Sequence, residues 1–392
     1  MRWLWLLLCS CVIACQAEYP VATKNAPAAP IQTGAEQLSA YLPLLKNKRV
    51  GLLVNQTSRI GEQHLVDVLL QHQVKLVSIF APEHGFRGDY DAGAHVRNGI
   101  DSQTGLPLIS LYGANKKPSA AQLQQLDVVI FDIQDVGVRY YTYISSMHYL
   151  LEAAAEQGVA VIILDRPNPN GAYVDGPVLD INFQSFVGMH PIPLLHGLTV
   201  GELALMIKGE GWIKQAAELN LTVIPLKHYQ RNQPYPLPVK PSPNLPNAQA
   251  VALYPSLGFF EATPLSVGRG TAFPFQVLGY DKFATGDFSF TPVSTPGAAL
   301  TPPLMDKTVY GQDLRHVAAG GLNLSYLLQW YSLFQQQNAE LFTAPAFIDK
   351  LAGTDKLRQQ ITQGLSEQDI RLSWQADLAR FKQQRQPYLL YP

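Results

Sequence analysis

Two glutamates, far apart along the chain, sit in contexts suited to proton transfer. Glu83 lies in IFAPEHGFRG (79–88). Pro82 fixes the backbone before it, glycines at 85 and 88 permit close approach, and His84 and Arg87 put a proton carrier and a fixed cation beside one carboxylate. That set suits general acid or base work, and it equally describes a salt-bridged surface turn. Glu261 lies in FFEATPLSVGRGT (259–271). A carboxyl group following two phenylalanines is expected to be desolvated, which disfavours its charged form and raises its pKa as a general acid requires. The plainer reading is a structural glutamate paired with Arg269.

The elements that position these groups follow from periodicity. The apolar run from Val74 to Phe80 reads as a strand covered on both faces, so Glu83 emerges at its carboxyl end, where open α/β sheets place ligands. Further strand-like runs occupy 50–55, 106–113, 128–133, 159–165 and 221–226, and helical spacing occupies 64–72, 119–126, 143–157 and 199–212. The alternation predicts an α/β fold, a Rossmann-like parallel sheet wrapped by helices. Neither GxGxxG nor GxxxxGK[ST] occurs, so the common nucleotide fingerprints are missing. Polar clusters at the strand ends would converge on one rim and make Asp132, Arg139, Tyr140, Arg166 and Asn168 candidate substrate contacts. Arginines clamp carboxylates and tyrosines stack on sugar rings. Taken singly, Asp132 is as readily a helix cap and Tyr140 a core residue.

Six prolines between 233 and 247 exclude an ordinary helix or central strand. The boundary is expected near residue 248, giving a catalytic domain over 39–248 and a smaller, mixed α+β, helix-rich C-terminal domain over 249–392, with the active cleft between them.

At 392 residues, 47% apolar, 15% charged and net charge -1, the chain can bury a large core and offers no basic surface for nucleic acid. Residues 1–15, MRWLWLLLCSCVIAC, resemble a bacterial lipoprotein signal: a basic start, an apolar stretch too short to span a bilayer, then Val12-Ile13-Ala14-Cys15. Cleavage before Cys15 and acylation of its thiol would anchor the protein to a membrane by lipid; a plain secretory signal is the alternative. Residues 16–38 read as a tether, and Gln16 in place of aspartate favours the outer membrane, on its periplasmic side. All three cysteines (9, 11 and 15) precede the folded part, which excludes cysteine catalysis there. No HExxH or zinc-like spacing occurs, so neither metal nor cofactor is expected.

Asn55-Gln56-Thr57-Ser58, APEHGFRG (81–88), DVVIFDIQDVGVRYYTY (127–143), DRPNPNG (165–171), HGLTVGELA (196–204), PSPNLP (241–246), FEATPLSVGRGT (260–271) and PYLLY (387–391) together resemble the exo-acting β-N-acetylmuramidase family, in order from about residue 43 to the end. The resemblance implies release of N-acetylmuramic acid from the non-reducing end of peptidoglycan fragments. It makes Glu83 and Glu261 the two catalytic carboxylates, one from each domain, which agrees with the two acids that glycoside hydrolysis uses. The lactyl carboxylate of muramic acid calls for a fixed cation, and Arg139 or Arg269 is expected before Arg87 or Arg166. Two other readings use the same rim: a lipoprotein that binds muropeptides without cleaving them, and a metal-dependent phosphoesterase built on Asp132, Asp135 and Asp165.

Overall fold

Six apolar runs become the parallel strands of one sheet in the computed structural model, which describes residues 29–83, 85–87 and 98–392. Cys15, most of the expected tether, and His84 lie outside the described residues. The strands are β1 (Val50–Val54), β2 (Leu76–Ala81), β4 (Pro107–Ser110), β5 (Val128–Asp132), β6 (Ala160–Leu164) and β7 (Leu221–Ile224), with a short antiparallel β3 (Gly99–Ile100) at one edge. Their order is β7-β6-β5-β1-β2-β4-β3, the doubly wound arrangement in which strand order reverses between β1 and β5. Both of those strands are buried along their whole length. Ser119 with Gln122 and Thr199 with Glu202 close capping boxes at two helix starts, and Gly158 ends helix Tyr143–Gln157 in the left-handed conformation.

After residue 247 the chain is mixed and helix-rich, as expected. Residues 248–257 form a helix that Pro255 had concealed. Asn247 caps it by accepting from Ala250 N at 2.9 Å, and the Val251 carbonyl that Pro255 cannot bond faces Asn170 Nδ2 at 3.5 Å. Strands β8 (Val277–Tyr280), β9 (Phe288–Phe290) and β10 (Val309–Asp313) make a small antiparallel sheet, order β8-β10-β9. Two helices near the C-terminus, Glu367–Ser373 and Gln375–Gln384, are separated where buried Trp374 leaves helical dihedrals at φ -109°.

The sheet region and the smaller helix-rich region share one apolar core, which takes in Phe131, Ile144 and Leu203 as well as Phe260, Trp330 and Phe381. Residues 31–392 hold together as one compact unit. The C-terminal tail reaches back to the sheet: the Tyr391 hydroxyl donates to Asp165, and Leu390 N donates to Glu202. Burial pushes the Asp165 carboxyl up to about 6.

Arg139 corrects one expectation. It is fully buried, and its guanidinium donates to the carbonyls of Pro177 (2.7 Å), Ile192 (2.8 Å), Leu351 (3.1 Å) and Ala352 (2.6 Å). The last two end helix Pro345–Ala352, where the helix dipole is negative. Burial lowers the guanidinium to about 9. No sugar carboxylate reaches it, so Arg139 is a clamp between the sheet region and the C-terminal helices, and not a substrate contact. Arg139→Ala would leave these buried carbonyls unpaired and should cost about 3–5 kcal/mol. A thermal melt within a degree or two of the parent would contradict that assignment.

Candidate active site

Glu83 stands one turn beyond the end of β2. The turn closes through Gly85 N to Pro82 O at 3.0 Å, with Gly85 at φ 75°. Oε1 of Glu83 accepts from the Tyr112 hydroxyl at 2.9 Å, Oε2 accepts from Thr142 Oγ at 3.3 Å, and the Tyr143 hydroxyl lies 3.5 Å from the Glu83 carbonyl. Tyr112 follows β4, the strand next to β2, and Thr142 is the N-cap of helix Tyr143–Gln157. The carboxylate therefore lies against the positive end of that helix. Burial and the nearby Glu83 charge push the Tyr112 phenol upward, which keeps it a hydrogen-bond donor. Arg87, expected beside this carboxylate, instead grips Asp101 with two bonds of 3.2 and 3.1 Å and lies over the Phe86 ring.

A continuous aromatic floor leads from Glu83 to Glu261. Tyr143 packs edge-on against Tyr141 (centroids 5.0 Å apart), Tyr141 against Tyr254 (6.0 Å), and Tyr254 against Phe275 (4.9 Å). The Arg269 guanidinium lies 5.2 Å from the Phe275 centroid and donates to Glu261 Oε1 through Nη2 (2.6 Å) and Nε (3.0 Å). The Tyr254 phenol and the Arg269 guanidinium each feel the charge of both glutamates. Two tyrosines and one phenylalanine, all buried, thus link Tyr143 to Arg269.

Glu261 differs from expectation in its surroundings. It sits on the 3-10 turn Gly258–Ala262, facing outward, while Phe259 and Phe260 turn inward and are fully buried. The Glu261 side chain is 26% exposed and paired with Arg269, the plainer of the two readings from the sequence. Beneath the turn, the Tyr140 hydroxyl donates to the carbonyls of Tyr254 (2.7 Å) and Pro255 (2.9 Å). Gly258 is required there, because a Cβ would stand 2.4 Å from the Tyr140 oxygen. Tyr140 is therefore a buried support, not a stacking surface for substrate. Tyr141 ties the proline-rich segment to the floor by donating to the Pro241 carbonyl at 2.6 Å.

The rim at the strand-order reversal is filled by the protein itself. Asp132 and Arg166 form a two-bond ion pair (2.6 and 2.8 Å), and Asn168 donates to the Leu198 carbonyl at 2.8 Å; all three are buried. They organise the rim from within and do not face a ligand, which corrects their placement as substrate contacts. Asp165 accepts from Thr199 and Gly201, and Asp135 accepts from Gly137 N at 2.6 Å. Asp132, Asp135 and Asp165 thus hold separate partners, and among the described residues no three His, Cys, Asp or Glu side chains gather as metal ligands. Tyr112, Thr142, Tyr254 and Phe275 were missed from the sequence. Tyr112 could have been found from its place at the end of the strand beside β2.

These features define a Rossmann-type α/β protein in which two carboxylates, Glu83 and Glu261, are joined by a run of packed aromatic rings. The chain belongs to the exo-β-N-acetylmuramidase NamZ family: the family's N-terminal profile matches residues 50–249 and its C-terminal profile residues 252–391. It is similar to the peptidoglycan β-N-acetylmuramidase NamZ of Bacillus subtilis, at 37% identity over 98% of this chain and 97% of that protein. Among solved structures it is similar to a DUF1343 family protein of Bacteroides fragilis, with 46% identity, a TM-score of 0.85, and coverage of 93% of this chain and 99% of that one. A second DUF1343 protein of that organism shares 30% identity with a TM-score of 0.79, over 92% of this chain and 99% of that one.

Asp135 supplies a pH test of the floor. Its Oδ1 has no hydrogen-bond partner among the described residues, and burial raises its carboxyl from 3.8 to about 7. The folded protein holds this proton up to about pH 7 while the unfolded chain releases it near 3.8, so the stabilising contribution present below the lower value is lost as pH rises through the higher. Asp135→Asn cannot ionise. It should match the parent near pH ~4 and melt a few degrees higher at pH ~8, measured by fluorimetry across that range. A gap that does not grow with pH would contradict the assignment.

Proposed function

We infer that this protein is a glycoside hydrolase, an exo-β-N-acetylmuramidase that releases N-acetylmuramic acid from the non-reducing end of peptidoglycan-derived saccharides. The observation that carries the reading is the pair of carboxylates, Glu83 and Glu261, at opposite ends of one aromatic floor. Hydrolysis of a glycosidic bond uses two such groups: one protonates the departing oxygen, and the other attacks the sugar or activates water. Each carboxylate has a fixed orientation, Glu83 through two hydroxyl donors and Glu261 through Arg269. Of the rings between them, Tyr141 and Tyr254 are the more exposed, at 8% each against 2% for Tyr143 and 1% for Phe275, and are our choice for the rings that meet the sugar.

The lactyl carboxylate distinguishes muramic acid from glucosamine and needs a cation. Of the four arginines considered from sequence, Arg139 and Arg166 are enclosed and Arg87 is committed to Asp101. Arg269 is the one that borders the cleft, and its Nη1 makes no hydrogen bond among the described residues. It is our choice for holding this group.

We place the enzyme in cell-wall turnover, on the periplasmic side of a bacterial membrane and tethered by lipid on Cys15, a reading supported by Val12-Ile13-Ala14-Cys15. Cys15→Ser should move the protein from the membrane fraction to the soluble one; retention on the membrane would contradict it. For the chemistry, Glu83→Gln and Glu261→Gln should each lower kcat on a chromogenic N-acetylmuramic acid glycoside by about 10²–10⁴-fold, with folding checked by thermal melt. Turnover that survives both substitutions would remove these side chains from the reaction. Digestion of a defined muramic acid–glucosamine disaccharide should release free N-acetylmuramic acid.

A further inference from the structure

Tyr112 and Thr142, the hydroxyl donors to the two oxygens of Glu83, come from different elements. A carboxylate gripped in this way keeps one orientation only while both elements keep theirs. Thr142 is secure, because the helix it starts, Tyr143–Gln157, is buried along most of its length. Tyr112 has no such support. Residues 111–119 contain neither helix nor strand, Gly113 turns the chain at φ 73°, and among the described residues no backbone hydrogen bond holds 113–118. Where the Tyr112 hydroxyl stands therefore depends on what the side chains of this loop grip.

Two lysines fasten the loop to that same helix. Lys117 Nζ lies 2.7 Å from Glu152 Oε1 and 2.8 Å from Glu156 Oε2. These glutamates stand one turn apart, where like charges repel, and the ammonium between them removes the repulsion. Partial burial disfavours the Lys117 charge, but the two carboxylates outweigh it and hold the ammonium above the usual lysine range. Burial lowers His148, whose Nε2 lies 3.6 Å from Glu152, so Lys117 is the cation that Glu152 meets at neutral pH. Lys116 adds a second tie. Its Nζ lies 4.7 Å from the centre of the Phe186 ring, and the Phe186 carbonyl accepts from Ser145 Oγ at 2.7 Å, about one turn into the helix from Thr142.

We propose that Lys117 is a positioning residue for the reaction: by bridging the loop after β4 to Glu152 and Glu156, it fixes the Tyr112 hydroxyl on Glu83 while Thr142 holds the other oxygen. Lys117 is bonded to these two glutamates and not to Glu83, so it acts through Tyr112. A carboxylate turned by a fraction of an ångström loses rate at the bond-breaking step more than it loses affinity for the sugar. The proposal rests on the glycosidase reading, in which Glu83 is one of the two reacting acids.

A double-substitution cycle on a chromogenic N-acetylmuramic acid glycoside tests it, using the full-length chain and a thermal melt of each variant. Lys117→Met keeps the aliphatic stem and removes the charge; it should lower kcat about tenfold and leave KM within about twofold. Lys117→Arg, which can still bridge the two carboxylates, should recover most of that loss. Tyr112→Phe should lower kcat at least as far as Lys117→Met does. The double variant should then fall no more than about twofold below Tyr112→Phe, because both substitutions remove the same bond. Glu152→Gln combined with Glu156→Gln breaks the bridge from the helix side, and should reproduce the kcat loss even if Lys117→Met melts early. An unchanged kcat in Lys117→Met, or losses that multiply in the double variant, would overturn the positioning role. Wild-type turnover that survives Glu83→Gln would overturn the reading of Glu83 itself, and this role with it.

Discussion

Two carboxylates can act on one bond only if the parts of the chain that carry them are held at a fixed separation. Here that constraint falls on the tyrosine run at 140–143. Tyr140 bonds the end of helix Ala248–Leu257 from below, Tyr141 anchors the proline-rich segment, Thr142 orients Glu83, and Tyr143 begins the floor. Four consecutive residues thereby touch Glu83, the proline-rich segment and the helix that leads to Glu261. Neighbouring side chains in this irregular stretch before a helix diverge in direction, which lets one short segment reach Glu83, the proline segment and the Glu261 turn together. The Arg139 clamp immediately before it adds the C-terminal helices to the same junction.

The doubly wound sheet is put to an unusual use. Its strand-order reversal, the customary place for a nucleotide, is occupied by the Asp132–Arg166 pair and the Asn55–Ser58 turn. Glu83 lies to one side, after β2. Burying an ion pair is expensive unless its geometry is good, and the two-bond arrangement meets that condition while stiffening the rim. Among the described residues, the loops away from that reversal carry Glu83, Glu261 and Arg269.

Much of the sheet was legible because its strands are buried on both faces and so read as unbroken apolar runs. The helix starts were legible because Ser119 and Thr199 carry their caps in sequence. Both glutamates stood out through their local company, but the environment of Glu261 did not: adjacent phenylalanines say nothing about which way a 3-10 turn points its next side chain. Arg139 was misread for a related reason. Its acceptors come from residues 177, 192, 351 and 352, and no local pattern announces a guanidinium that will meet only carbonyls. Helix Ala248–Leu257 was hidden because Pro255 is tolerated when a distant side chain answers the carbonyl it leaves free. Tyr254 and Phe275 escaped notice because an aromatic floor is a tertiary feature assembled from three separate segments.

Catalysis by this pair requires a sugar ring to lie over that floor, within reach of one acid from the sheet region and one from the smaller region. A crystal of the Glu83→Gln protein grown with the muramic acid–glucosamine disaccharide tests this most directly. Density should show the muramic acid above Tyr141 and Tyr254, its lactyl carboxylate on Arg269, and the glycosidic oxygen between the substituted amide side chain at position 83 and the Glu261 carboxylate. Well-ordered sugar bound elsewhere, with the floor bare and the Arg269–Glu261 pair unaltered, would contradict it.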